Sequence, residues 1–310
     1  MPQENMAAEP SGILILHKPV GITSHDAVYR LRKLYGTRRV GHTGTLDPLA
    51  EGVLVMLVGR AAKAAEYLVC DSKEYVATLR LGLTTDTEDI TGNVLTEYRS
   101  EGQPPSFDEV KAAVRGFEGD ILQIPPMYSA LKVGGKKLCD LAREGVTVER
   151  TARPITIHSI QVEPVDDMWD HRLSVSCSSG TYIRTLCADI GKALGCGGVM
   201  ATLLRTSAGG FSIKDAVTIQ ELEQMTEEER VARLLPVERL FSTLPRVCLS
   251  DFYTKLCRSG CEIYQKKIHT SYAVGDRVRI CDAQGGFFAL GEVKEYPEGS
   301  AIKSIKMFEL

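Results

Sequence analysis

The stretch VGHTGTLDPLAEGVLVMLV (residues 40–58) governs how the rest of this chain is read. It sets one carboxylate, Asp47, between a Gly/Thr-rich loop and an apolar run. GVLVMLV has the length and apolar character of a buried strand. Pro48 removes a backbone donor directly after Asp47, and Gly41, Gly44 and Gly52 allow sharp bends or close approach of another molecule. A polar loop fixed to a buried strand holds a reactive side chain in place. Taken alone, an Asp before Pro also reads as a turn residue capping its neighbours. A catalytic reading needs a partner that keeps the carboxylate charged and aimed. SSGTYIRT supplies one, because it puts Arg184 in the first turn of a helix that is apolar along Ile183, Leu186 and Ile190. A lone buried cation there would be costly. A buried Arg–carboxylate pair is expected to hold the acid ionised and to lower its pKa.

Outward from this loop the chain alternates strand and helix signals. GILILHKP (12–19) reads as a strand closed by Pro19. Thr23 and Ser24 are N-cap candidates for a helix over 25–35, with Ala27, Val28, Leu31 and Leu34 at helical spacing and Gly36 as its stop. The other face of that helix carries Arg30, Arg32 and Lys33, and Arg38 and Arg39 follow with no acid among them. Residues 61–69 read as helical, KEYVATLRLG (73–82) as a strand, TTDTEDITG as a turn and 94–98 as a further strand. Ser106 with Glu109 forms a capping box for a helix over 107–115. A strand over 117–124 is stopped by Pro125 and Pro126. MYSALKVGGKKLCDLAREG (127–145) reads as a flexible, basic loop leading into a short helix. Strands over 155–165 and 172–176, a helix over 180–195 and a strand over 199–209 come next. Thr218 with Glu221 and Thr226 with Glu229 cap two short acidic helices. Residues 236–245 read as a linker. Beyond them, short strands joined by Gly turns predict a small β-barrel.

At 310 residues, 44% hydrophobic and 25% charged, the chain can form one large domain or two domains with proper cores. Its apolar runs are too short to span a bilayer. MPQENMAAEPSG lacks the pattern of a signal peptide, so residues 1–11 read as a disordered leader. Nine cysteines, scattered and without a C-x-x-C pair, read as reduced, mostly buried thiols of a cytoplasmic protein. The net charge of −3 carries no global sign of nucleic acid. Positive charge is instead local, in the 30–39 cluster and in Lys132, Lys136 and Lys137. Such runs are either solvated faces or polyanion sites.

Other side chains with chemical potential sort by context. Alternation places Tyr75 with Ala77 and Leu79 on the core face. There it is either a packing residue whose hydroxyl finds one partner or a ring that stacks on a base. His42 lies five residues before Asp47, but no Ser or Cys stands in a nucleophile-elbow context. The six histidines show no ligand spacing, which argues against a metal. Asp86, Glu88 and Asp89 do not fit an EF-hand and read as a Thr/Asp-rich surface turn. No Walker loop and no GxGxxG fingerprint is present, so nucleotide-triphosphate and redox chemistry have no support.

GHTGTLDPLAEGVL closely resembles the catalytic motif of the TruB-type tRNA pseudouridine synthases. The resemblance continues in order through HKPVGITSHDAV, KEYVATLRLGLTTDTEDITG, IPPMYSALKVGGKKLCDLAREG, SSGTYIRTLCADIGKALGCGG and ATLLRTSAG, over about residues 12–210. The tail resembles, less closely, the PUA-type RNA-binding barrel. The family often has an acid where this chain has His17. The resemblance implies an α+β pseudouridine-synthase fold, with a central mixed or antiparallel sheet flanked by helices and a small C-terminal PUA-like β-barrel. It implies a catalytic domain over 12–240, an RNA-gripping insertion over 127–152 and an RNA-binding domain over 246–310. The implied reaction converts uridine to pseudouridine at position 55 in the T-loop of tRNA, on a flipped-out base, with no cofactor and no metal, in a monomer. Asp47 would be the nucleophile and Arg184 its partner. Tyr75 would stack on uracil and act as the base on the sugar. Leu203 would pack on uracil and His42 would stabilise the flipped nucleotide. Lys18, Thr45 and Tyr182 would complete the substrate-binding set, and Arg38, Arg39, Lys132, Lys136 and Lys137 would hold the RNA backbone. Two other readings stand beside it: a non-catalytic module that binds or refolds RNA, for which the basic patch, the 127–145 loop and the C-terminal barrel would suffice, and a metal-dependent hydrolase built on His42, Asp47 and the 86–89 turn.

Overall fold

The computed structural model describes residues 9–67 and 72–308. In chain order it begins with β1 (Gly12–Lys18), α1 (Ser24–Leu34), β2 (Val40–His42), β3 (Ala50–Val58) and a 3-10 helix (Gly59–Tyr67). There follow β4 (Ser72–Leu81), β5 (Leu83–Thr85), β6 (Val94–Glu97), α2 (Phe107–Arg115) and β7 (Gly119–Gln123). A hairpin of β8 (Lys132–Val133) and β9 (Lys136–Lys137) leads into α3 (Leu138–Arg143), β10 (Arg153–Pro164), β11 (Asp170–Ser178), α4 (Ile183–Ala193) and β12 (Gly198–Ala208). The catalytic-side elements end with β13 (Phe211–Ser212), β14 (Val217–Thr218), α5 (Ile219–Gln224) and α6 (Glu227–Ala232).

Local chemistry explains most of these boundaries. Thr23, and not Ser24, is the N-cap of α1, with Asp26 completing a capping box. Ser106 with Glu109, Thr218 with Glu221 and Thr226 with Glu229 do the same for α2, α5 and α6. Each box satisfies two otherwise orphaned amides. Gly134 and Gly135 both have positive φ, the geometry a two-residue hairpin turn demands. They turn the 127–145 stretch into a hairpin followed by a helix. Residues 61–67 wind as a 3-10 helix and not as an α-helix. Ala61 and Ala64 are buried three residues apart, and three residues per turn line them up on one edge. Residues 68 and 69 of the expected helix lie outside the described residues.

The main sheet has ten strands, in the order β14-β1-β3-β12-β4-β11-β10-β7, with β2 and β13 attached to β3 and β12. It is mostly antiparallel, with β1–β14 and β3–β12 parallel. β3 is covered on both faces, which is why its sequence is a continuous apolar run. Leu54, Met56 and Val58 face the principal core, with Leu31 of α1, Val110 of α2 and Leu186 of α4. Val53, Val55 and Leu57 face a second core, with Ile13, Ile15, Ala61 and Phe211. Along the other edge of β3, opposite β1, β12 takes the first residues and β2 the last. The chain between β2 and β3 must therefore loop out over the end of β12, and that loop carries Asp47.

The C-terminal part comprises β15 (Arg246–Cys248), α7 (Asp251–Arg258), β16 (Ile263–Tyr264), α8 (Gln265–Ile268), β17 (Arg277–Cys281), β18 (Phe287–Tyr296) and β19 (Gly299–Met307). Its strands follow the order β15-β17-β18-β19-β16 and curl into a PUA-like half-barrel. Residues 236–245, expected as a linker, are packed structure. Phe241 is buried with Ala64, Leu290 and Phe308, and Arg279 pairs with Glu238 at 3.0 Å. The Tyr67 hydroxyl donates to the Ile305 carbonyl at 3.3 Å. The segment gives up its freedom because Phe241 gains a dry site between the two sheets. Residues 1–8 of the expected leader lie outside the described residues. Glu9 bonds Thr37 and Arg39, and the Ser11 hydroxyl accepts from the Ala61 amide. No helix among the described residues is long and apolar enough to cross a membrane.

Gly52 is where three strands converge, pairing with Lys18 of β1 and Arg205 of β12. Its φ is +105°, and an added Cβ would lie 2.2 Å from the Arg205 carbonyl oxygen. Gly52→Ala is expected to lower the unfolding free energy by at least about 2 kcal/mol, measured from the urea midpoint. A change within about 0.5 kcal/mol, the ordinary range for surface substitutions, would show that this crossing tolerates a side chain.

Candidate active site

The loop that carries Asp47 is tied down at almost every residue. The Thr43 amide donates to the Val55 carbonyl at 3.1 Å. The Gly44 and Thr45 carbonyls accept from Arg205 at 3.1 and 3.3 Å. Ser24, buried at the start of α1, bridges Leu46 through both its carbonyl and its amide at 3.0 and 2.8 Å. The Asp47 carbonyl closes a turn with the Ala50 amide at 3.1 Å, and the Pro48 carbonyl accepts from Gly21 at 2.8 Å. A loop with its polar groups satisfied in this way presents its one free carboxylate in a fixed place.

Arg184 meets that carboxylate as expected, with Nε 2.9 Å from Asp47 Oδ2. The Arg184 side chain is 5% exposed and that of Asp47 38%. The cation is thus sealed behind the acid, and the acid stays open to the cavity. The remaining guanidinium donors go to the Thr87 carbonyl at 3.1 Å and the Tyr128 carbonyl at 2.8 Å. A second carboxylate, Asp89, stands 3.8 Å from Arg184. It accepts from the Thr87 hydroxyl and from the Thr91 amide and hydroxyl. The 86–93 turn is therefore not a solvated surface turn, because it closes one side of the site. Arg184 lowers the Asp47 pKa as expected, yet the net shift is upward. Burial pushes the Asp47 carboxyl above its ordinary value, Arg184 pulls it back, and the nearby Asp89 charge adds to the rise.

Around Asp47 lies a cavity of about 1100 Å³, bounded in part by His42, Tyr75, Tyr182, Arg184 and Leu203. Thr45 and Lys137 also reach it, as do Tyr128 and Ser129. Tyr75 and Leu203 come from the adjacent strands β4 and β12 and form an apolar wall. Burial raises the Tyr75 phenol, with Arg205 opposing. A phenol raised above its usual range is protonated at neutral pH. Burial keeps His42 below the usual imidazole range, so it is neutral near pH 7. Tyr182 is the N-cap of α4, held by Gln123 through its amide and carbonyl at 2.8 and 3.0 Å.

Lys18 does not line the cavity. It is wholly buried, and its ammonium donates to the Pro19 and Ile22 carbonyls, each at 2.8 Å. Burial depresses its pKa to about 8, with Asp47 opposing. Its place is under the loop, out of reach of substrate. His17, where the family often has an acid, approaches Glu51 at 3.6 Å. Arg38 and Arg39 are exposed away from the cavity, and Arg39 pairs with Glu9. Lys132, Lys136 and Lys137 are exposed on the β8–β9 hairpin, with Lys136 3.7 Å from Glu144. Among the described residues no three His, Cys, Asp or Glu side chains gather as a metal site.

Comparison with known proteins decides the family. Residues 32–183 match the model described as "TruB family pseudouridylate synthase (N terminal domain)". Residues 184–242 match "tRNA pseudouridylate synthase B C-terminal domain". The chain is 42% identical over 285 residues to tRNA pseudouridine synthase B of Bacillus pumilus, covering 90% of this chain and 92% of that one. The chain belongs to the TruB family. It is a pseudouridine synthase. A second relative, tRNA pseudouridine synthase B of Burkholderia mallei, is 42% identical over 299 residues, covering 95% of this chain and 94% of that one. Among solved structures, a Cbf5-Nop10-Gar1 complex matches with a TM-score of 0.73 at 27% identity, over 96% of this chain and 85% of that one.

Two parts of this TruB-family site were not picked out by sequence reading. Arg205 lies in a strand that looks apolar, and nothing local marks its side chain as turned toward the loop. Asp89 was seen only as a possible metal or turn residue. Its one distinguishing signal was the Thr87 and Thr91 flanking it, since paired hydroxyls satisfy a buried carboxylate. If Asp47 works as a carboxylate, kcat/KM for pseudouridine formation falls as pH drops through its raised pKa. That acid limb is expected above the ordinary Asp range, near 3.9. Asp89→Asn removes one charge that raises it, so the limb moves to lower pH. A limb that stays fixed or moves up in this variant would contradict the assignment.

Proposed function

We propose that this chain isomerises uridine to pseudouridine in tRNA, at position 55 of the T-loop, with Asp47 as nucleophile. One observation carries the reading: a carboxylate on a pinned loop, backed by a sealed arginine, faces a cavity walled by Tyr75 and Leu203. The relatives that match along most of the chain are named for tRNA, which supports that substrate.

The chemistry follows from the cavity. A uridine inside a folded RNA loop must leave the stack before Asp47 can reach it. The Tyr75 ring and Leu203 replace the lost stacking, and a neutral His42 occupies the rim without competing for Arg184. Asp47, paired with Arg184 and closed off from water once the RNA fills the cavity, attacks C1′ of the target nucleotide as a carboxylate. The bond between N1 and C1′ breaks, and the uracil turns while still enclosed. C5 then bonds to C1′ and displaces the Asp47 carboxylate, which is released unchanged; the C5 proton leaves, and N1 ends protonated. Product and substrate have the same formula, so no cofactor is consumed. Arg184 keeps the carboxylate aimed throughout, and Lys18 adds positive potential from below. Lys132, Lys136 and Lys137 offer charge to the phosphates of the T-arm from the hairpin above the cavity, and Arg38 from the flank of α1. The enzyme works as a monomer in the cytoplasm on this reading.

Asp47→Asn is the direct test, on a T-arm hairpin with no added metal or nucleotide. Product is expected to vanish, while hairpin affinity stays within about tenfold because shape and phosphate contacts remain. Pseudouridine made by this variant would remove Asp47 from the mechanism. Wild-type protein that binds the hairpin without converting it would point instead to an RNA-folding module.

A further inference from the structure

We infer that Arg205 is a positioning residue that locks Tyr75 to the Asp47 loop, so that the two halves of the site keep one spacing. The inference rests on the function proposed above.

Arg205 is among the largest fully buried side chains of the protein. Among the described residues it has no ion pair. A buried guanidinium without a carboxylate is costly unless its donors are satisfied. Here they go to backbone carbonyls at a single place in the fold. Nε donates to Val53 in β3 at 2.7 Å. One terminal nitrogen donates to Thr45 at 3.3 Å and the other to Gly44 at 3.1 Å. The two loop residues lie just ahead of Asp47, and Val53 lies just after it in the strand that anchors the loop. The planar fork therefore spans the base of the loop and fixes its width.

The same side chain faces Tyr75. Arg205 and Tyr75 are direct partners on the antiparallel strands β12 and β4, so their side chains leave the sheet side by side on one face. Three of its five N–H groups are used by Val53, Thr45 and Gly44, which leaves donors for Tyr75. Arg205 thus stands beside Tyr75 in the sheet while its guanidinium is bonded to the loop. Backbone pairing alone would not set this spacing, because β12 meets β3 only over Ala50 to Gly52 and the loop makes no ladder of its own. Lys18 and His42, the other titratable groups that sense Arg205, are both pushed toward their neutral forms in part by it.

A lysine at this position keeps the charge but cannot reach three carbonyls with fork geometry. Misplacement of reacting groups by about 1 Å can cost on the order of 100-fold in rate. Arg205→Lys is therefore expected to lower kcat on a T-arm hairpin by about that factor, with KM within about threefold. The decisive readout is a double-mutant cycle with Tyr75→Phe. If Arg205 acts through Tyr75, the double variant is no slower than the slower single variant by more than about threefold. Losses that multiply, or an R205K kcat within threefold of wild type, would overturn the proposal. Should R205K not fold, Arg205→Gln takes its place in the same cycle. If neither folds, Arg205 is a fold residue only and the inference fails. Wild-type turnover of the hairpin is measured alongside, so failure of the proposed function is seen separately.

Discussion

The ion pair of Arg184 with Asp47 is the constraint on which the rest of the structure depends. It joins a loop at the end of the β3 strand to the first turn of α4, more than a hundred residues later. A buried pair is a weak source of net stability, because removing two charges from water offsets most of their attraction. Removing the acid would leave the sealed Arg184 guanidinium without its nearest anion, which is costly although Asp47 itself is only half-buried. The pair therefore specifies more than it stabilises. It requires the α4 N-terminus, the 86–93 turn and the Tyr128 carbonyl to arrive at one point, since each supplies a partner for the same guanidinium.

This arrangement also explains why the acid is not simply made more acidic by its partner. Arg184 is shared between two carboxylates, and its remaining donors are committed to backbone. Asp47 feels two cations, Arg184 and Lys18, one neighbouring anion, Asp89, and its own burial, and the burial dominates. A carboxylate in that position is pushed toward its neutral form by burial and held toward its charged form by the cation behind it. The two influences come from different neighbours and can be altered one at a time.

Much of this was legible in the sequence. The capping boxes at Ser106, Thr218 and Thr226 were readable because both partners lie within one turn. β3 was readable because a strand covered on both faces must be apolar throughout. Arg184 was readable because a cation on an apolar helix start needs an anion. What escaped were contacts whose two halves are far apart and whose local pattern is ordinary. Arg205 sits at a polar position of a strand, and only the crossing of β12 over β3 turns it toward the loop. Lys18 follows a buried strand and looked like a substrate contact, yet two nearby carbonyls draw it inward. The 236–245 segment has the Pro spacing of a linker, and only the facing Phe287 and Phe308 make Phe241 a core residue.

The pinned loop has a consequence for recognition. An active site that is already rigid spends no conformational entropy of its own when RNA arrives. The work of adapting falls on the nucleic acid, which must unstack a base and bend its backbone to fit a fixed receptacle. Discrimination then becomes a measure of how readily a given RNA deforms. Two hairpins with identical sequence at the target uridine, but different stacking stability around it, would be told apart without the protein touching the bases that differ. The selectivity of such an enzyme resides as much in the mechanics of its substrates as in the contacts it makes with them.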